Sequence, residues 1–350
     1  MLRVARTQAC RIAGTGVAFP GKAWSNRAVV ERFSADGRRG ARTPAELDDL
    51  ATTLGETLGV ERRHWAHVPD TGFDDGEPSS VDVGTEALEA SLADAEIAPR
   101  DLGAILVATS TPARATGANA PAMADRVGAR CAAFDVRSGC AGGLLAFVQG
   151  CMLAAVSRQP VAVVATDTFS KIVPPRDALA ALAFGDGAGA VVLVPGDDEH
   201  AGLRSAAFAS DGSLGHLAAA PLPFPVTTEH LAAGLGYLQG DVEALAARAP
   251  GLCAQTVEVA LGLAWVEPAD VKLFVPHQTS RPAIAALADA ARVPMDRTVI
   301  TVSEHANCGA GGVLIALDAA RREGRVGANE TMLLAALGGG LSWGAAVFQT

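Results

Sequence analysis

No C-x-x-C pair occurs in the 350 residues, although six cysteines do: Cys10, Cys131, Cys140, Cys151, Cys253 and Cys308. That absence excludes a zinc ribbon or a dithiol redox motif, and a chain this long does not need a disulfide framework. Charge is sparse too, at 19% of residues with a formal net charge of -10. No basic stripe is present, which argues against nucleic acid as a partner. The basic pairs Arg38-Arg39 and Arg321-Arg322 read as solvated faces. Residues 1–11 hold three arginines and no long apolar run, so a signal peptide is not expected. No stretch of about 20 residues reads as apolar enough to span a bilayer. The expectation is a cytoplasmic protein.

Familiar ligand loops are missing as well. Gly14-x-Gly16 and Gly185-x-Gly187-x-Gly189 do not open a helix after a strand, so neither reads as a dinucleotide loop. No G-K-[ST] phosphate loop and no G-x-S-x-G elbow appears. His64, His67, His200, His216 and His230 lack metal-ligand spacing, and no metal site is expected.

What is present is apolar residues at 49% and 38 glycines. That composition supplies a large core and lets helices approach sheets closely. Ile12–Ala18 reads as an opening strand, 24–80 as mixed and loop-rich, 82–97 as an amphipathic helix, and Ile105–Ala108 as a buried strand. The plan then recurs. Pro99-Arg-Asp-Leu-Gly-Ala-Ile-Leu-Val resembles Pro268-Ala-Asp-Val-Lys-Leu-Phe-Val, and Cys140-Ala-Gly-Gly resembles Gly309-Ala-Gly-Gly. Late in each half, a glycine-rich turn at 185–189 or 338–340 runs into an apolar strand. Three matches in one order predict two duplicated α/β halves, 1–198 and 199–350, each with a largely parallel sheet.

Three segments carry chemistry. Ala133–Val136 reads as a strand and 144–156 as a helix, so Cys140 sits where strand turns into helix. A thiol at a helix N-terminus feels the positive end of the macrodipole, which favours its thiolate; the alternative is a buried structural cysteine. Val275-Pro-His277-Gln278 places a histidine at the end of a buried strand, where acid–base work is feasible. His305-Ala-Asn307 precedes an apolar helix. The Asn307 amide suits a carbonyl oxygen bearing developing charge, or else caps that helix. His305 competes with His277, and the strand-end position favours His277.

Phe134-Asp-Val-x-x-x-Cys140-x-Gly-Gly, Phe184-Gly-Asp-Gly-Ala-Gly-Ala, Val275-Pro-His-Gln, His305-x-Asn307 and Gly338-Gly-Gly-x-x-Trp-Gly resemble, in order and spacing, the ketoacyl synthase III family of thiolase-like condensing enzymes. The resemblance covers nearly the whole chain. It implies a thiolase-like fold with a layered α-β-α-β-α core. It implies that Cys140 is the acylated nucleophile, and that His277 and Asn307 polarise the extender thioester and stabilise the enolate formed on decarboxylation. The Cys140 N–H and one from the Gly339-Gly340 turn would form the acyl oxyanion hole, with Phe184 at its border. No resident cofactor is implied. Substrates would arrive on the phosphopantetheine of an acyl carrier protein or on coenzyme A, and a homodimer is expected through the strand near 131–136.

Two positions depart from the family pattern. Thr57 and Thr53 stand where an Arg and a Trp usually hold the adenine of coenzyme A. Lys171, Arg62, Arg63 and Trp65 are the substitutes that sequence suggests for carrier or pantetheine contacts. The segment 113–120 has no acid where a long-chain head-to-head branch would place a Glu. The Thr53 and Thr57 departures favour a carrier-bound acyl donor or a coenzyme A held differently, and His277-Gln-Thr-Ser-Arg-Pro, in place of the family's commoner His-Gln-Ala-Asn, resembles branches with a specialised pathway. The leading function is therefore decarboxylative condensation with a malonyl-type or β-ketoacyl extender. The alternatives are acyl transfer to a hydroxyl, an amine or a second carrier without carbon–carbon bond formation, and a non-catalytic acyl-binding subunit.

Overall fold

The computed structural model describes every residue except 6, 35–42, 70, 73, 176 and 199. Arg38 and Arg39 therefore lie outside the described residues. The strands sort into two five-stranded sheets. The first runs, in spatial order, Cys10–Ala18, Asp186–Pro195, Val161–Thr168, Ala104–Ala108 and Ala132–Val136. The second runs Leu2–Val4, Gly202–Ser210, Ser342–Gln349, Thr331–Gly338 and Leu273–Pro276.

Neither sheet is largely parallel, which corrects the expectation. In the first, the two pairs around Ala104–Ala108 are parallel and the other two antiparallel. In the second, only Leu273–Pro276 against Thr331–Gly338 is parallel. The reason is connection length. Residues 339–341 alone join Thr331–Gly338 to Ser342–Gln349, too few for the crossover that parallel neighbours need.

In the first sheet Ala132–Val136 lies parallel to Ala104–Ala108; in the second the same place is reduced to one parallel bridge, Phe274 to Thr298. The strand Leu2–Val4 crosses from the first half to pair with Gly202–Ser210.

Five layers follow from where apolar side chains go. The helices Gly142–Ser157 and Gly311–Arg322 share one buried cluster with the inner faces of both sheets, so they form the middle layer. Phe147 and Phe348 meet there at 5.6 Å between ring centroids. Helices Ser80–Ala95 and Asn119–Val127 cover the outer face of the first sheet. Helices Val242–Ala264 and Arg281–Ala291 cover that of the second.

This middle layer explains two differences from the sequence reading. Gly139–Ser157 is long and apolar enough to cross a membrane by composition, yet it is the sandwiched core helix. An all-round apolar helix is what a position between two sheets requires. Residues 44–58, read as mixed, form a helix whose capping box pairs Thr43 with Glu46.

Candidate active site

Cys140 lies between the strand Ala132–Val136 and the helix Gly142–Ser157. The turn depends on Gly139 at φ +53, a backbone conformation that a side chain resists. A Cβ there would also come within 2.5 Å of Gly339 N. A Cβ on Gly338 would strike Cys140 N. The 338–339 backbone thus lies directly on the nucleophile turn. Gly340 faces elsewhere: its carbonyl backs onto Gly215.

The helix dipole does not make Cys140 a resting thiolate. Burial pushes its thiol up to about 12, with the charge of Asp167 adding to the effect and the Cys140 N–H opposing it. Magnitude decides this: a macrodipole contributes about 0.3–1 kcal/mol, under one pKa unit, whereas desolvation moves buried groups by up to about 3–5 units. The sequence expectation of a favoured thiolate is corrected accordingly.

His277 follows the strand Leu273–Pro276 and is held by its N–H to Ala335 O at 2.8 Å. Its ring is buried, Nδ1 has no partner among the described residues, and burial lowers its pKa to about 4. The ring is therefore neutral near pH 7 and able to take a proton. Gln278, which sequence reasoning passed over, locks this strand end. Its Nε2 donates to Pro276 O and Val299 O, and its Oε1 accepts from the N–H groups of Thr301 and Val302. A single amide so ties the His277 loop to the segment that leads to Asn307.

Asn307 is buried, and its backbone is clamped to both sides of Phe184: its N–H donates to Ala183 O, and its carbonyl accepts from Gly185 N–H. Its Oδ1 accepts from Gly309 N–H at 3.0 Å, so the Nδ2 end is the free donor. The helix Gly311–Arg322 has no side-chain cap, which removes capping as the role of Asn307. Phe184 stacks on Phe169 at 4.9 Å. His305 does not face solvent: its ring stacks on Phe19 at 4.1 Å, and burial lowers its pKa to about 4.

The segment 307–312 is where these parts meet. A side chain on Gly143, three residues past the nucleophile, would strike Ala310 O. A Cβ on Gly312 would sit 3.7 Å from His277 Nδ1. One turn therefore carries Asn307, abuts the nucleophile helix and abuts the imidazole.

The four suggested carrier contacts fare unequally. Arg62 is exposed and pairs with Glu304 at 2.7 Å. Lys171 is half-buried at the end of the short turn Phe169–Lys171. Arg63 is fully buried, its two terminal guanidinium nitrogens donating to Trp24 O, Asn26 Oδ1 and Leu182 O. Trp65 is buried, donating from Nε1 to Phe184 O at 3.4 Å. Both are buried where sequence suggested contacts: alternation along Arg62–His64 turns Arg63 inward, and Trp65, just past that strand, packs beneath Phe184 O.

Comparison with known proteins points to one family. Residues 134–212 match the family model for 3-oxoacyl-[acyl-carrier-protein (ACP)] synthase III, and residues 261–350 match the model for its C-terminal part. A beta-ketoacyl-[acyl-carrier-protein] synthase III of Dinoroseobacter shibae is 35% identical over 315 residues, covering 87% of this chain and 93% of the relative. One of Rhizorhabdus wittichii is 32% identical over 340 residues, covering 97% and 98%. The crystal structure of the corresponding Pseudomonas aeruginosa synthase superposes with a TM-score of 0.82 at 27% identity, covering 97% of this chain and 98% of that one.

Proposed function

The chain belongs to the beta-ketoacyl-[acyl-carrier-protein] synthase III family, and from that premise we propose how its own residues carry out decarboxylative condensation. The resting pair is a neutral Cys140 thiol and a neutral His277 imidazole. As an acyl thioester arrives, the imidazole takes the thiol proton, sulfur attacks the carbonyl, and the same proton leaves on the departing carrier thiol. Splitting the reaction through an acyl-enzyme turns one hard step into two easier ones. The N–H groups of Cys140 and Gly339 hold the oxygen that becomes negative in each tetrahedral intermediate.

In the second step a malonyl-type thioester binds with its carbonyl toward His277 and Asn307 Nδ2. The bond to the carboxylate breaks, carbon dioxide leaves, and the electron pair passes into an enolate that these two donors stabilise. The enolate carbon attacks the acyl carbon, Cys140 leaves as a thiolate, and a proton taken up from water restores the resting thiol. The observation that carries this reading is the 307–312 turn, which bears Asn307 and abuts both Gly143 and His277.

The donor side of the proposal is a carrier-bound acyl group in a specialised pathway. Thr53 and Thr57 are exposed, and the Thr57 hydroxyl turns back to Thr53 O at 2.8 Å, offering no guanidinium or indole for adenine. The partner side is a homodimer through Ala132–Val136, the outermost strand of its sheet, where Phe134 is 40% exposed. A cytoplasmic setting is part of the same proposal.

The test is incubation with an acyl carrier protein bearing an acyl chain and a second bearing malonyl. Carbon dioxide release with a β-keto product supports the reading. Acyl movement without carbon dioxide would replace it with simple acyl transfer.

A further inference from the structure

Asp167 is fully buried at the end of Val161–Thr168, and the mechanism above does not use it. Its carboxylate accepts five hydrogen bonds. Oδ1 takes them from Thr109 Oγ1 (3.1 Å), Ser110 N (2.7 Å), Thr111 N (2.9 Å) and Thr111 Oγ1 (2.8 Å). Oδ2 takes one from Ala310 N at 2.8 Å. The first four come from the loop after Ala104–Ala108, in the first half; the last comes from the Asn307 turn, in the second half. Ala310 is thus gripped on both faces: Asp167 holds its N–H, and Gly143 of the nucleophile helix packs on its carbonyl.

The same carboxylate shapes the turn's backbone. Gly309 sits at φ +56, and a Cβ there would strike both Asp167 Oδ2 and the Phe169 ring. Gly309 is also the residue whose N–H fixes the Asn307 amide. The chain of contact is therefore Asp167 to Ala310 and Gly309, and from Gly309 to Asn307 Oδ1.

We propose that Asp167 is a positioning residue for the decarboxylation step: through Ala310 and Gly309 it fixes the turn that orients the Asn307 carboxamide and seats that turn on the nucleophile helix. It touches no substrate atom. The inference rests on the reading above that Asn307 stabilises the enolate. Its consequence is a split between half-reactions, because acyl loading uses Cys140, His277 and the 338–339 backbone, none of which Asp167 hydrogen-bonds.

Asp167→Asn tests this with almost no change of shape. An amide can keep its oxygen on the four donors of 109–111, but its NH2 then meets the Ala310 N–H, donor against donor. Three readouts are taken on the full chain: acyl loading by intact mass, carbon dioxide release from malonyl carrier protein, and iodoacetamide alkylation of the Cys140 peptide against pH. The expected result is loading within about threefold of wild type and decarboxylation down at least about thirtyfold, short of the roughly 10²–10³ that removing an oxyanion donor outright costs. Alkylation of Cys140 shifts to lower pH, since a neighbouring negative charge is gone. Parallel loss of loading and decarboxylation, or loss of neither, overturns the inference. A wild type that releases no carbon dioxide would overturn the underlying reading, and the inference with it. Should Asp167→Asn fail to fold, Thr111→Val removes one donor to the carboxylate and keeps its charge. It is expected to slow decarboxylation about threefold with loading and alkylation unchanged; equal slowing of both half-reactions contradicts the proposal.

Discussion

Thr15 donates its hydroxyl to Asp318 Oδ1 at 2.7 Å, across 303 residues of sequence. Thr15 belongs to the strand Cys10–Ala18 and Asp318 to the helix Gly311–Arg322, which the Asn307 turn opens. Asp318 is buried and also accepts from Arg322 Nε at 2.8 Å. Thr15→Val keeps the shape and leaves that carboxylate one partner short. A buried acceptor so deprived costs about 1–3 kcal/mol. The expected outcome is a thermal midpoint lowered by a few degrees with kcat within about twofold, measured by calorimetry and steady-state kinetics. An unchanged midpoint would contradict the role given to this bond.

Arg62 and Arg63 are neighbours in sequence with opposite fates. Arg63→Ala strands Trp24 O, Asn26 Oδ1 and Leu182 O in the interior and is expected to destabilise the fold by about 3 kcal/mol or more. Arg62→Ala breaks only an exposed pair with Glu304, worth at most about 1 kcal/mol. If Arg62 meets a carrier protein, its loss raises KM for the carrier severalfold while kcat stays. Denaturant titration and carrier-concentration kinetics on both variants separate the two predictions.

Alkylation of Cys140 should be slow at pH 7 and climb through the alkaline range, because burial holds its thiol near 12. The imidazole of His277, held near 4, stays neutral from pH 5 upward, so turnover should not fall on acidification from pH 7 to 5 through protonation of this ring. A thiol titrating below pH 7 in the free enzyme would show instead that a thiolate–imidazolium pair preexists.

Stability against pH carries a compensation. His277 and His305 titrate near 4 in the fold against 6.5 unfolded, so between those values the unfolded chain binds more protons and acidification costs stability. Burial raises Asp167 and Asp186 from 3.8 to about 6, so between those values the folded chain binds more protons and acidification adds stability. The two pairs oppose each other from about pH 6 to 4. Asp186→Asn removes one compensating group, leaving about one proton unbalanced, or roughly 1.4 kcal/mol lost per pH unit in that window. Denaturant midpoints across the window read the slope; an unaltered slope in the variant would contradict the assignment.

How much of this was legible beforehand differs by element. The motifs around Cys140, His277 and Asn307 were readable because each sits at a strand end or helix start, where short spacing fixes local geometry. The helix Pro44–Leu58 was obscured by its polar, mixed sequence, although Thr43 and Glu46 carry a capping box. The mixed sheets were not readable, since a strand's apolar run does not say which neighbour it pairs with. Asp167 closes an apolar run, Ala-Val-Val-Ala-Thr-Asp, with no motif around it to mark a role. Its meaning depends on Ala310, 143 residues away. The burial of Arg63 was not readable because inward and outward alternation on a three-residue strand leaves no pattern to read, and Trp65 lies just past that strand.

Intact-mass spectrometry of the wild type and of Cys140→Ala, each incubated with the same acyl thioester, tests most directly whether Cys140 is the covalent carrier. A single acyl adduct on the wild type and none on the variant is the predicted result. Equal acyl uptake by both proteins would contradict it.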